Sequence, residues 1–204
     1  MLKSISAVLV LALTPLAAAA EEVRPGVTFA GEPEAAGSER AAMQDVIFDF
    51  AAAWANCDGS YMEHAFADDV LFAYPTTAIE GLDAMLADLE LFCGMATDTS
   101  FYFPADAFYI DTETGRIAAE VQFRTIQRGA RQVVNDVWIA TIEDGRGTVL
   151  KEYLDGRVKD LQSLGVLQYD ESPETLTPWP PRTEAWAECF PIARAAPINS
   201  CPAE

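Results

Sequence analysis

The sequence predicts an α+β domain, a cone-shaped fold in which three N-terminal helices pack on a curved, mostly antiparallel sheet. Two observations support this class. Between Ser38 and Cys93, apolar residues recur every three or four positions, as in amphipathic helices. After Phe101 the pattern changes to long alternating segments separated by short turns, as in a strand meander. Because helices cover only one face of such a sheet, we expect an interior pocket.

The length and composition of the chain exclude several functions. Its 204 residues fit one domain with extensions, and 50% hydrophobic residues allow a packed core. The formal net charge of −19 argues against nucleic acid and against anionic membrane surfaces as partners. The single histidine, His64, excludes a His-rich metal site. We therefore expect no metal and no other cofactor.

Residues 1–20 are interpreted as a secretory signal peptide. Lys3 precedes an apolar run over residues 5–16, which is too short to cross a bilayer, and three alanines at 18–20 form a small-residue cleavage site. The alternative is an N-terminal membrane anchor. Cleavage would start the mature chain at Glu21, in the periplasm or outside the cell and without a membrane partner.

The four cysteines are interpreted through this expected export. An even number of cysteines in an oxidising compartment predicts two disulfides, and four residues allow three pairings. We favour Cys57–Cys93 in the domain and Cys189–Cys201 in the tail, where the second pair closes a short loop. A zinc site is the alternative, but the sequence has no C-x-x-C spacing.

Charge is distributed unevenly along the chain. Residues 41–115 contain 14 acidic residues and no Lys or Arg, whereas residues 116–194 contain 12 acidic and 10 basic residues. A solvated acidic helical surface that aids solubility explains this pattern. The alternative is selection for a cationic ligand.

The helices follow from their caps and spacing. Residues 21–37 are rich in Gly, Pro and Glu and are expected to form a flexible leader. Ser38 caps a first helix that ends at Asp58-Gly59. The segment Ser60–Glu63 has the S-x-x-E form of a capping box and begins a short second helix. A third helix is predicted over Gly81–Cys93.

The strands follow from alternation. A short strand over Val70–Tyr74 separates the second and third helices. Pro104 should disturb the first of the later strands or place it at an edge. Four long strands are predicted: Phe101–Ile110, Arg116–Gln127, Arg131–Ile142 and Thr148–Val158. The domain is thus expected over residues 38–160, followed by a Pro-rich C-terminal extension over residues 161–204.

Five segments occur in the order of a known family. They are the helix-to-strand junction Ala65–Pro75, the third-helix start Ile79–Met85, and the final hairpin segments Asn135–Ile139, Glu143–Gly145 and Lys151–Asp155. Together they resemble SnoaL-like proteins of the nuclear-transport-factor-2-like superfamily. The resemblance implies a cone-shaped domain with a hydrophobic pocket, which often dimerises through the outer sheet face, so a homodimer is expected. Known members include polyketide cyclases, ketosteroid isomerases, epoxide hydrolases and non-enzymatic binding domains, so fold leaves function open.

Glu152 is the first candidate catalytic residue. Alternation places it on the same face as Leu150 and Leu154, so it should point inward. Loss of hydration there would raise its pKa toward the range useful for acid–base catalysis. The position also matches a pocket carboxylate in the epoxide-hydrolase branch. The alternative is a structural Glu that is paired with Arg124, with Arg131 or with backbone groups.

Asp136 is the second candidate and matches an Asp common at this place in SnoaL-like strands. Its orientation depends on the register of the final hairpin. Pairing Ile142 with Thr148 puts Asp136 on the same side as Glu152. A slip of one residue would turn Asn135 inward instead.

Tyr74 is the third candidate, because it precedes Pro75 where the ketosteroid-isomerase branch carries its proton-shuttling Asp. Loss of that Asp disfavours a steroid isomerase. Tyr74 could still orient or protonate a substrate oxygen, and the alternative is that it lines the pocket without a chemical role. Four residues are predicted to bind substrate: Trp138, Asn135, Phe72 and Trp54. For the three aromatic residues among them, packing in the core is the alternative.

Two functions remain open on the sequence. The first is a cofactor-independent lyase, isomerase or hydrolase that acts on a small, apolar, oxygenated molecule. The second is a non-catalytic periplasmic domain for small-molecule binding or assembly. The enzyme requires both carboxyl groups in one cavity, whereas the binding domain requires an apolar cavity whose polar groups are already paired.

Overall fold

The computed structural model describes residues 20–75 and 77–155, which form three helices and nine strands. The helices are α1 (Glu39–Asn56), α2 (Ser60–Ala65) and α3 (Leu82–Cys93). The strands are β1 (Glu21–Arg24), β2 (Val27–Phe29), β3 (Phe66–Tyr74), β4 (Thr77–Glu80), β5 (Ala96–Phe103), β6 (Phe108–Asp111), β7 (Arg116–Gln127), β8 (Ala130–Glu143) and β9 (Arg146–Asp155). No helix among the described residues is long and apolar enough to cross a bilayer. Residues 1–19 of the expected signal peptide, the C-terminal extension and the Cys189–Cys201 pair lie outside the described residues.

The strands form one mixed sheet in the order β1-β2-β5-β7-β8-β9-β3-β4, and β6 pairs with β7. Only the β2–β5 and β3–β9 pairs are parallel within this sheet. The predicted α+β class and mostly antiparallel sheet are therefore confirmed. The helices do not all precede the sheet, because β1 and β2 come before α1. The strand predicted between the second and third helices is present as β3, and β4 follows it.

The segment predicted as a flexible leader instead begins with a hairpin at the edge of the sheet. Val27 and Phe29 are buried, and β2 runs parallel to β5. Arg24 donates to Asp45 and Asp49 on α1, with both N–O distances 2.8 Å. Three alternating residues were too short a pattern to predict β2, which depends on contacts with distant parts of the chain.

Local capping defines α1 as predicted, but not α2. The Ser38 side chain accepts a hydrogen bond from the Ala41 amide at 3.0 Å, which satisfies a free amide at the start of α1. The expected capping box of α2 is absent, because Gly59 is the N-cap. The Ser60 amide instead donates to the Asp58 carboxylate at 3.0 Å. Helix α2 is therefore anchored by the turn that precedes it.

Two strand predictions change in the structure. The predicted strand over residues 101–110 is divided by Pro104 into β5 and β6, because proline lacks the amide that a ladder needs. Strand β3 begins earlier than predicted, at Phe66, and forms an antiparallel pair with β4, which the sequence did not predict. The exposure of β4 alternates over four residues only, too few for a clear signal.

The β8–β9 register decides which carboxyl groups face the interior. Trp138 pairs with Glu152 and Asp136 pairs with Leu154, as in the register that puts both carboxyl groups on one side. The assumed starting pair is wrong, because Ile142 pairs with Gly147 and the register shifts between Thr141 and Ile142. Gly147 of β9 also lies beside Phe66 of β3. A side chain at Gly147 would meet the Phe66 ring at 2.6 Å, so β3 and β9 approach closely only because this residue is glycine.

The core lies between α1 and the sheet. Phe50 of α1 is fully buried, and its ring centroid lies 4.8 Å from that of Trp138 and 5.6 Å from that of Phe72. The predicted Cys57–Cys93 disulfide is present and joins the C-terminal ends of α1 and α3. These contacts hold both helices against the inner face of the sheet.

Candidate active site

A cavity of about 330 Å³ opens between the helices and the sheet. Its mouth includes Leu91, which is 69% exposed, and Leu154, which is 40% exposed. The lining is mostly apolar with a few polar groups, as in small-molecule sites. The remaining lining residues are Trp54, Phe72, Tyr74, Asp88, Phe92, Met95, Phe101, Phe123, Gln127, Asp136 and Glu152.

Six aromatic rings of the lining form a continuous series of contacts. Successive ring centroids are 5.0–6.3 Å apart, which is the usual range for interacting aromatic pairs. In order, the rings belong to Tyr74, Phe72, Trp54, Phe92, Phe123 and Phe101. They come from α1, α3 and three strands, so the wall exists only in the folded chain.

Glu152 lies in the cavity wall and is partly buried. Removal from water raises its pKa well above the ordinary value of 4.5, and the negative charges of Asp136 and Asp88 raise it further. Within the described part of the chain, Glu152 has no hydrogen-bond or ion-pair partner. The alternative of a structural pair with Arg124 or Arg131 is therefore not supported.

Asp136 lies in the same cavity and is 6% exposed. It stands diagonally from Glu152 across the β8–β9 pair. Such diagonal neighbours on one face have Cβ atoms about 7 Å apart. The structure therefore brings together the two carboxyl groups that the sequence singled out.

Tyr74 also lines the cavity, and its hydroxyl donates to the Asp88 carboxylate on α3 at 3.4 Å. Desolvation raises the pKa of Asp88, and the hydrogen bond from Tyr74 opposes that shift. The pair links strand β3 to helix α3 at the cavity wall. The Asp88 carboxylate thus orients the Tyr74 hydroxyl by accepting its hydrogen bond.

Of the four predicted substrate-binding residues, Phe72 and Trp54 line the cavity and two do not. Trp138 is 1% exposed and packs in the core against Phe50 and Phe101. Asn135 lies on the opposite face of β8 and accepts a hydrogen bond from Gln122 at 3.2 Å. Trp138 thus takes the core position that was its alternative, and strand alternation puts Asn135 on the face of β8 opposite that of Asp136.

Asp88 is the main site residue that the sequence analysis missed. It lies three residues after Met85 and four before Phe92, so it shares a helical face with apolar side chains. A carboxylate within an apolar helical stripe is a signal from which this site residue could have been predicted.

His64 is exposed on α2, and its Nδ1 lies 2.6 Å from the Ser60 carbonyl oxygen, away from the cavity lining.

In the described ranges 20–75 and 77–155, no three His, Cys, Asp or Glu side chains are arranged to hold a metal ion. Asp88, Asp136 and Glu152 share the cavity without converging on one point. Their chemistry is that of individual carboxyl groups at an aromatic wall.

Stability should depend on the protonation of Glu152. The folded state holds this proton more tightly than the unfolded chain, whose Glu pKa is near 4.5. This contribution is fully present below that value and is lost as pH rises toward the raised folded pKa. We expect Glu152→Gln to become progressively more stable than wild type across this window. Urea unfolding of both proteins at a series of pH values measures it, and a constant difference would contradict the assignment.

The fold and the cavity together define a class: an α+β domain with a mostly antiparallel sheet, three helices and an interior cavity. No protein-family model matches this chain, and no curated protein is similar enough in sequence to match it. Solved structures do match, and the chain shares its fold with proteins described as SnoaL-like, NTF2-like and ketosteroid isomerase-like.

Three of these structures illustrate the similarity. A protein classed as a SnoaL-like polyketide cyclase from Shewanella denitrificans has 12% identity and a TM-score of 0.53, covering 60% of this chain and 97% of its own. A ketosteroid isomerase-like fold from Catenulispora acidiphila, solved with trimethylamine, has 15% identity and a TM-score of 0.52, with 63% and 98% covered. A LEH-like epoxide hydrolase from M. tuberculosis has 17% identity and a TM-score of 0.50, with 61% and 96% covered. At these identities the similarity establishes the fold alone.

Proposed function

We propose that this protein is a cofactor-independent acid–base enzyme acting on a small, apolar, oxygenated molecule. The observation that carries the proposal is the pair Glu152 and Asp136 in one largely apolar cavity. Glu152 has a raised pKa and no partner among the described residues. A carboxyl group in this condition is suited to proton transfer near neutral pH.

In the proposed mechanism, the two carboxyl groups exchange protons with the substrate. Glu152, protonated because of burial and neighbouring negative charge, donates to a substrate oxygen as the general acid. Asp136 accepts a proton as the general base. Tyr74, held by Asp88, orients the oxygen. Such proton transfers suit isomerisation, elimination or hydrolysis, so the reaction class is lyase, isomerase or hydrolase.

The similar structures support this class without selecting a reaction. They include polyketide cyclases and an epoxide hydrolase-like protein with the same fold. A steroid isomerase remains disfavoured, because Tyr74 replaces the Asp that this branch uses as its proton shuttle. Non-catalytic binding would require polar groups that are already paired, and Glu152 does not meet this requirement within the described residues.

Export is part of the proposal. Residues 1–20 have the charge, apolar run and cleavage site of a secretory signal. The Cys57–Cys93 disulfide agrees with an oxidising compartment, such as the periplasm or the extracellular medium. A homodimer through the outer face of the sheet stays a prediction.

The substrate can be identified from the molecules that the native protein carries. Native mass spectrometry of the protein purified from its own host under mild conditions should reveal small molecules that fit a cavity of about 330 Å³. Each molecule found is then incubated with the protein, and products are followed by chromatography. A wild-type protein that converts none of the molecules it carries would favour the binding domain instead.

Asp136→Asn should change both the rate and its pH dependence. We expect kcat/KM to fall about 100-fold or more, because a general base is lost. The residual activity should decline at a lower pH than in wild type, since removing this negative charge lowers the pKa of Glu152. The control is Asp144→Asn in the exposed β8–β9 turn. An unchanged rate and an unchanged pH profile would remove Asp136 from the mechanism.

A further inference from the structure

The charge of the cavity wall has only one sign. Among the described lining residues, three carry carboxyl groups and none is Lys, Arg or His. Asp88 belongs to the helical wall, whereas Asp136 and Glu152 belong to the sheet. A cavity of this kind repels carboxylates and phosphates and attracts positive charge, and low-dielectric walls strengthen the effect.

The aromatic wall favours the same kind of ligand. The faces of Trp, Tyr and Phe rings attract cations, most strongly when the cation has lost water. The six-ring series runs from Tyr74, which donates to Asp88, to Phe101 on the sheet. A carboxylate beside successive rings supplies both the charge and the apolar contact that an alkylammonium group needs.

None of the described lining residues is a cation that could balance the charge of Asp88, whose described partner is the Tyr74 hydroxyl. The ion pairs that Asp45 and Asp49 form with Arg24 lie on another surface of α1. A ligand with positive charge would supply a counter-charge to Asp88. A neutral ligand would leave the charge of Asp88 without a cation in a partly dry site.

We propose that the molecule bound in this cavity carries a protonated or quaternary amine, held between Asp88 and the aromatic wall, with its oxygen directed toward Glu152 and Asp136. The position of the reacting oxygen in this inference rests on the proposed function. The preference for an amine depends only on Asp88 and the aromatic wall. It identifies the substrate class as a small amino alcohol or a related oxygenated amine.

The test compares two probes of nearly equal shape. Choline carries a quaternary ammonium and a hydroxyl, and 3,3-dimethylbutan-1-ol has carbon in place of the charged nitrogen. Isothermal titration of the full-length protein should show choline binding at least about tenfold more tightly. Equal affinity, tighter binding of the alcohol, or no measurable choline binding at millimolar concentration would overturn the proposal.

Three variants localise the preference. Asp88→Asn should reduce the ratio of choline to alcohol affinity at least about threefold, whereas Glu90→Gln, an exposed position on the same helix, should keep it. Phe92→Leu keeps apolar volume but removes a ring, so choline affinity should fall about two- to fivefold with little change for the alcohol. An unchanged ratio in both cavity variants would overturn the assigned position.

Failure of this inference is separable from failure of the proposed function. If choline is preferred and Glu152→Gln leaves turnover of the natural molecule unchanged, the amine site is supported and the acid–base mechanism is wrong. If Glu152→Gln abolishes turnover but the neutral alcohol binds as tightly as choline, the enzymatic function is supported and the proposed amine substrate class is wrong.

Discussion

Glu152→Gln is expected to lower kcat/KM by about 10²- to 10⁴-fold, the usual contribution of a general acid or base. Gln has nearly the shape of protonated Glu, so the cavity should persist while the transferable proton is lost. Both kcat and kcat/KM should fall together, because the interaction is made in the transition state. The measurement is steady-state turnover of the molecule identified in the native protein.

The matched control is Glu143→Gln, an exposed position on the neighbouring strand β8. It makes the same Glu-to-Gln change without touching the cavity lining. Its turnover should equal that of wild type. Circular dichroism and urea unfolding of Glu152→Gln separate loss of chemistry from loss of fold. Wild-type turnover by a folded Glu152→Gln protein would exclude Glu152 from catalysis.

Removing the Cys57–Cys93 disulfide should cost about 4 kcal/mol of unfolding free energy. The two cysteines are 36 residues apart, and closing a loop of that length restricts the unfolded chain by roughly this amount. The bond also joins the ends of α1 and α3 beside Phe92 and Trp54, whose rings form part of the cavity wall. The double variant Cys57→Ser/Cys93→Ser should therefore lose stability and bind ligand less tightly.

Urea unfolding of the double variant and wild type measures the stability change. The control is Cys189→Ser/Cys201→Ser, which keeps only the pair seen in the domain. A reductant should lower the unfolding free energy of this control by about the same 4 kcal/mol. In the Cys57→Ser/Cys93→Ser protein the same reductant should not cause this decrease in unfolding free energy, because the bond is already absent. A double variant as stable as wild type would contradict the expected role of the disulfide.

Some of the site could be predicted because short-range patterns determine it. Alternation along β9 placed Glu152 beside Leu150 and Leu154, and the register of one hairpin placed Asp136 with it. Disulfides were expected from cysteine number and export, and Cys57–Cys93 was the favoured pair of the domain. In each of these cases the information lies within one element or one pair of neighbouring elements, or in the composition of the chain.

Other parts of the site depend on which distant elements meet. Asp88 entered the site because α3 packs beside β3, where Tyr74 reaches its carboxylate. Trp138 became a core residue because Phe50 and Phe101 enclose it. Alternation assigns a side chain to the inner face but does not distinguish the core from the cavity within that face.

The sequence by itself determined the α+β class, the three helices, most of the strands, and the inward direction of Glu152, because periodicity and caps act locally. The tertiary structure alone decided the sheet position of residues 21–29, the division of the aromatic residues between core and cavity, and the approach of Asp88 to the two sheet carboxyl groups. These features arise where segments far apart in the chain pack together, and their energies depend on neighbours that no local pattern specifies.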